Sequence, residues 1–390
     1  MQYLFKQSRY LLLILIFTHI VVQPGQCQKL KIHWKTSTKP NRIIPLLVSQ
    51  NIIICQNSPQ LIAYDATTGK KLWHFLEEEQ VRPLPVYREF INKVSLHQGF
   101  VYLNHGYSIR RKFGSITYNT LVKLEAQTGK IMWKKKLKPK EVFVKSKQGL
   151  LLVDKGNELV CLNPLNGKKK WEITISQRGE AFLYQNMIYT MHYASGQPYV
   201  VAIHYQDGNI QWQKAFSDGK KIDATLFSLH QDKLYVYDAK NIYALYLNGK
   251  KYWQTKIDPE FTHWNKQIWG YQFFGERLYF TTRYDELRAI SLQDGQTVWT
   301  SSLRRNEILV FHSSMILAHQ DYLIFQIINN EKKIALFNQK NGKFFKEISI
   351  PQEQVALTID MISNISSQII SYQGKLFYAS KEHLYCTSFK

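Results

Sequence analysis

Short apolar runs separated by turn residues fill most of the chain. In 222–257 the runs ATLFSLHQ, LYVYDA, IYALYL and KYWQTKI, rich in Tyr, Leu, Val and Ile, are broken by QDK, KN and NGK. Runs of this length and composition predict strands, and the breaks predict antiparallel hairpins. A longer pattern is laid over this one. LIAYDATTGKKLWHF (61–75) places a Trp four residues after a turn Gly, and LVKLEAQTGKIMW (121–133), LVCLNPLNGKKKW (159–171), VVAIHYQDGNIQW (200–212), IYALYLNGKKYW (242–253) and LRAISLQDGQTVW (287–299) repeat it. A seventh copy, KIALFNQKNGKFFK (333–346), keeps the Gly but has Lys346 at the Trp position. The glycines at 69, 129, 167, 208, 249, 295 and 342 are 60, 38, 41, 41, 46 and 47 residues apart. That period fits one four-stranded propeller blade, and only the 60 calls for an insertion.

The phrase has a structural explanation. A tight turn between third and fourth strands needs φ > 0, which Gly adopts without a Cβ penalty. Asp65, Asn163 and Ser291, earlier in their turns, are placed to accept bonds from turn amides. A four-stranded sheet cannot bury both faces alone, so blades must stack, and an indole on the outer strand offers roughly 200 Å² to that joint. Trp34, Trp73, Trp133, Trp171, Trp212, Trp253 and Trp299 are therefore expected to be structural docking residues. Cys161 and Cys386 fall where Ala63, Ala202, Ala244, Ala289 and Ala335 fall in their own repeats, and are expected to act as small buried apolar residues.

Strand counting predicts the closure. After the seventh repeat come three strands, IISYQGK, LFYASKEH and LYCTSFK (369–390), while LKIHWKTS (30–37) carries Trp34 with no repeat before it. Pairing the N-terminal strand with the C-terminal three completes an eighth blade and removes a free edge. The expected fold is all-β, an eight-bladed β-propeller with four antiparallel strands per blade. Its blades are 42–76, 94–137, 142–175, 181–216, 222–257, 271–303, 315–350, and 369–390 with 30–37. Two stretches interrupt the rhythm and are expected to be binding insertions. They are the connection EEEQVRPLPVYREFINK (77–93) and NHGYSIRRKFGSITYNT (104–120) in the second blade.

Composition changes the picture at the N-terminus and in charge. Lys6 and Arg9 precede the apolar run 10–22, which is too short to span a bilayer comfortably and is followed by Gln23-Pro24-Gly25. Residues 1–27 thus read as a secretory signal peptide and 28–390 as one propeller domain. Cys27 stands where a lipoprotein carries its acylated cysteine, but Gln26 replaces the usual Gly, Ala or Ser, which favours cleavage over a lipid anchor. Of 390 residues 51 are Lys or Arg and 29 Asp or Glu, a formal charge of +22. Behind a signal peptide this points away from nucleic acid and toward envelope proteins, anionic membrane or polysaccharide. Arg110, Arg111 and Lys112, with Lys134, Lys135 and Lys136 of the run KKKLKPK (134–140), are the candidate partner-binding residues.

Runs of the form A-x-D-x-x-T-G-x-x-x-W resemble the tryptophan-docking repeats of pyrroloquinoline quinone (PQQ)-type β-propellers, over nearly the whole mature chain. Two branches of that superfamily carry different expectations. Quinoprotein dehydrogenases hold quinone and calcium at the axis, often with an adjacent-cysteine disulfide. This chain has no neighbouring cysteines and no cluster of Asp, Glu and Asn for a calcium shell. The other branch, the B subunit of the bacterial outer-membrane β-barrel assembly machinery, is similar in length and in closing its ring with the N-terminal strand. That resemblance implies a non-catalytic, monomeric scaffold in the periplasm or on the periplasmic face of the outer membrane, without cofactor. Luminal domains of unfolded-protein sensors use related repeats, but their kinase half is absent.

Other chemistry finds little footing. There is no C-x-x-C pair, H-E-x-x-H or P-loop, and no Gly-x-Ser-x-Gly elbow. His192 and His204 fall on different strands, which argues against a metal pair. The dispersed carboxylates single out no glycosidase-type pair. The alternatives are therefore a quinone-dependent or other ligand-binding propeller, or one that binds an anionic glycan.

Overall fold

The computed structural model describes residues 30–38, 44–57, 60–76, 86–111, 114–138, 141–144, 150–194, 197–215, 227–237, 241–257, 268–282, 286–305, 308–309, 316–327, 333–349, 369–379 and 383–389. Eight antiparallel sheets of four strands form the blades, with a two-stranded ribbon at 304–309. Seven are sequential: 44–75, 86–137, 142–173, 177–215, 227–256, 268–302 and 317–349. The eighth joins Ile370–Tyr372, Lys375–Ala379 and His383–Phe389 to Leu30–Ser37, which takes the fourth, outermost place. Trp34 there faces Cys386 across the pair, as Trp73 faces Ala63 and Trp171 faces Cys161. The chain ends are thus knitted into one sheet.

The first strand of each blade is innermost: Ile44–Ser49 touches the first strands of both the second and the eighth blade. Eight hydrophobic clusters fill the molecule, and each draws its buried side chains from two adjacent blades. The cluster of Leu152, Cys161 and Trp171 with Ala181, Ile188 and Val201 unites the third and fourth blades. Strand alternation explains this arrangement, because each sheet sends successive side chains to opposite neighbours. Every blade is half of two cores, so the ring is the folding unit.

The turns between first and second strands lie on the same side as those between third and fourth. Backbone bonds tie them together, including Ala66 N to Asn51 O at 2.7 Å and Tyr205 N to Asn186 O at 2.9 Å. We call this side the turn face, and the opposite side the connection face. Five of the first turns place a Gln and the residue after it both at positive φ: Gln50-Asn51, Gln98-Gly99, Gln185-Asn186, Gln231-Asp232 and Gln373-Gly374. Two successive positive φ angles are the type I′ geometry that suits the strand twist.

Two expectations are corrected. The second blade begins at Val86, so part of the 77–93 connection is strand; 77–85 lies outside the described residues. NHGYSIRRKFGSITYNT is likewise no loop, because Val86–His97, Phe100–Arg111 and Gly114–Glu125 are strands of 12 residues each; the first pair runs from Val86↔Ile109 to His97↔Phe100 with two bulges, and the second from Phe100↔Glu125 to Arg111↔Gly114 without a break. Tyr107 and Tyr118 stack at 5.2 Å, Ser108 and Thr117 share a 2.9 Å bond, and Phe90 crosses Gly106, where a Cβ would lie 2.5 Å from its ring. Cross-strand pairs of this kind hold an elongated sheet without a second core. The other correction concerns Ala335, which faces Glu347; Leu336 holds the position opposite Lys346.

Candidate interaction surface

The seven docking tryptophans do not face a common site. Each donates its indole N–H to a carbonyl in the third-to-fourth turn of the following blade. The bonds are Trp34 to Ala66, Trp73 to Ala126, Trp133 to Pro164 and Trp171 to Tyr205, at 2.8 to 3.2 Å. Trp212 to Leu247, Trp253 to Leu292 and Trp299 to Gln339 continue the series at 2.9 to 3.1 Å. The same ring lies on the turn Gly: a Cβ at Gly208 would stand 2.9 Å from Trp171 Cδ2. Positive φ and this close approach both select glycine there. The Gly and the Trp of one phrase therefore serve different joints, the Gly receiving the ring of the preceding blade.

The joint between the seventh and eighth blades has no such contact. The third strand of the eighth blade ends at Phe389 and its fourth begins at Leu30, so no turn joins them and no turn Gly exists for an indole to meet. Lys346 at the Trp position follows from the closure. The joint is filled instead by Tyr322, Ile324, Leu336, Ile348, Leu376, Tyr378 and Tyr385, with Tyr322 and Phe345 at 5.0 Å.

Lys123 carries no visible signal in the sequence. It faces Trp133 where the other Trp-bearing strands face Ala or Cys, yet it is only 4% exposed. Its Nζ donates to Pro164 O at 3.1 Å, the carbonyl that also accepts from Trp133, and lies 3.8 Å above the Phe100 ring. Burial lowers its pKa. A buried ammonium needs such partners, and both are inside the joint.

The basic candidates all belong to the second blade but split into two groups. Arg110, which is exposed, and Arg111 end the second strand at the tip of the elongated sheet, opposite Ser115 and Gly114; Lys112 lies outside the described residues. Lys134, Lys135 and Lys136 sit on the outermost strand opposite Val122, Leu121 and Thr120. Alternation puts Lys134 and Lys136, both exposed, on one side and Lys135 on the side of Trp133. Five residues of the third strand separate Ser115 from Thr120, about 17 Å, so the groups do not converge. Beyond Asn119, which pairs with Leu137, the stretch Gly114–Tyr118 has no outer neighbour among the described residues.

A calcium site of the quinoprotein type would need oxygen ligands gathered in one place. Among the described residues no three His, Cys, Asp or Glu side chains converge on a metal-sized site. Cys55, Cys161 and Cys386 are buried thiols in different blades, and burial pushes Cys161 up to about 12 and Cys386 up to about 11. His192 stacks on Tyr199 at 5.2 Å, while His204 Nδ1 lies 3.0 Å from Asp207, so the two do not meet.

The sequence profile described as outer membrane protein assembly factor BamB, from the PQQ-type repeats, matches residues 91–174, 117–262 and 196–389. The chain belongs to the BamB family. Compared by sequence, no curated protein matches it. Among solved structures, BamB from Moraxella catarrhalis is similar with a TM-score of 0.58 at 13% identity, over 93% of this chain and 98% of that one. Quinohemoprotein alcohol dehydrogenase from Comamonas testosteroni reaches 0.59 at 10% identity, over 92% of this chain and 76% of that one. Sqt1 from Saccharomyces cerevisiae reaches 0.60 at 11%, over 91% and 98%. At such identities the structural likeness speaks for the ring alone; family membership rests on the sequence profile.

Proposed function

We propose that this BamB-family propeller is a non-catalytic protein-interaction scaffold of outer-membrane protein assembly. In this reading residues 1–27 are a signal peptide removed on export, and 28–390 works as a monomer in the periplasm or at the periplasmic face of the outer membrane. The observation that carries the proposal is the profile match across 91–389. The geometry supports it, since all seven docking indoles are spent on joints between blades and, among the described residues, the acidic and thiol side chains form no ligand set. The elongated second blade is the proposed contact. Its Gly114–Tyr118 edge suits an added strand, with exposed Arg110 at that tip for acidic groups and Arg111 next to it in the chain. The test is affinity purification of the tagged chain from detergent-solubilised envelope. Co-purification of a barrel-assembly component, weakened by Arg110→Glu with Arg111→Glu, is expected; recovery of none would overturn the reading.

A further inference from the structure

We propose that the turn face rests on an anionic phospholipid bilayer, with the third-to-fourth turns of the third, fifth and seventh blades as contact points. The inference rests on the reading that the protein works in the envelope, but not on any assembly partner.

The turn caps supply the first observation. In the first, fourth and sixth blades an Asp accepts turn amides: Asp65 from Thr68, Asp207 from Asn209 and Asp294 from Gln296, at 2.7 to 3.0 Å. The third, fifth and seventh blades have Asn at these two cap positions, Asn163 and Asn338 four residues before the turn Gly as Asp65 is, and Asn248 directly before it as Asp207 and Asp294 are, with bonds of 2.8 to 3.0 Å. Asn and Asp both make these caps, so turn geometry does not decide the charge. Lys168, Lys250, Lys340 and Lys343 are exposed in or just after those turns. Exposed Lys70 and Lys130 also follow the turn Gly in the first and second blades, but they share those turns with Asp65 and Glu125, whereas the lysines of the neutral-capped turns have no carboxylate in the cap. The third blade also holds Glu172, which is taken up by Lys155 at 2.6 Å and Lys169 at 2.9 Å. Three basic turns at alternate blades of an eight-bladed ring define a plane.

Apolar side chains stand in two of these three places. Leu165, at the tip of the third-blade turn, is 77% exposed, and Tyr246 at the fifth-blade turn is 43% exposed. Apolar tips beside lysines are the pattern of a surface that dips into the headgroup region and is held there by charge. The third observation is where the chain begins its closing strand. Leu30 stands four residues before Trp34, as Gly69 stands four before Trp73, so the strand starts at turn level on this same face. The closing strand therefore enters the ring from this face.

The test uses the protein as purified from cells that export it, sedimented with vesicles of phosphatidylcholine alone or mixed with phosphatidylglycerol. Binding is expected only to the mixed vesicles and should weaken as salt rises. Lys168→Gln, Lys250→Gln and Lys343→Gln together should reduce it on the order of tenfold, and Leu165→Ser alone by about threefold. The equal-charge set Lys35→Gln, Lys138→Gln and Lys256→Gln, lying past the tryptophans toward the other face, should bind as the parent does. Leu165→Ser alters one exposed side chain and serves if the triple variant fails to fold. Equal binding to neutral vesicles, equal losses in the two lysine sets, or displacement by polyglutamate at matched charge, which would assign the face to an acidic protein, each overturns the proposal.

Discussion

Seven joints of the ring hold an indole over a glycine, and the eighth, between the seventh and eighth blades, holds neither. The difference teaches that the repeated phrase is not a unit of function. Its glycine belongs to the joint behind it and its tryptophan to the joint ahead. Where the chain ends replace a turn, the tryptophan has nothing to dock on and a lysine takes its place. Gly342 survives in that repeat because Trp299 of the preceding blade still needs it.

The comparison can be broken most severely at the closure. Deleting residues 28–38 removes Trp34 and the outer strand of the eighth blade, and leaves an open sheet edge. Aggregation is expected by light scattering; a monomer with cooperative unfolding would contradict the closure. Next comes one docked joint against the undocked one. Trp171→Ala should cost roughly 3–5 kcal/mol in denaturant unfolding, whereas Lys346→Ala should stay within about 0.5 kcal/mol. Lys346→Trp should bring no stabilisation, and a gain there would show that the docking turn is dispensable.

Glycines sharpen the contrast further. Gly208→Ala meets both a φ of +81° and the Trp171 ring, while Gly374→Ala meets a φ of +71° with open space around it. About 2 kcal/mol or more is expected for the first and about 1 kcal/mol for the second; equal costs would deny the ring contact. The smallest effect concerns pH. Burial raises the Asp65 pKa, but bonds from Thr67 and Thr68 with the nearby Lys70 outweigh it, and the net shift is downward. Its contribution is therefore present above the usual carboxylate range near 3.9 and is lost as pH falls through the lower folded value. Asp65→Asn should flatten the acid limb of the melting curve slightly, and an unchanged limb would remove Asp65 from it.

Much of the ring was legible in the sequence because its signals are local. Turn glycines, indoles four residues on, and a C-terminal triplet short of one strand are readable along the chain and fix both blade number and closure. What depends on the neighbour was not. The reason for Lys346 needs the missing turn of the next blade, and Lys123 looks like a surface lysine until Pro164 and Phe100 are placed around it. The second blade was misread for another reason: Gly106 and the charged Arg110 and Arg111 look like loop residues. Their strand role comes from pairing with Phe90 and with 114–115 across the hairpin. For the candidate surface, residue types suggested contacts, but only the register separated Arg110 and Arg111 from Lys134 to Lys136.

Hydrogen exchange of the segment 30–37, read beside the fourth strand of the first blade at 71–75, tests the sealed ring most directly. If Leu30–Ser37 is the outer strand of the eighth blade, docked by Trp34 onto the first, its amides should be protected as strongly as those of Lys71–Phe75 and open only with global unfolding. Exchange of 30–37 at the rate of an unstructured tail, while 71–75 stays protected, would contradict it.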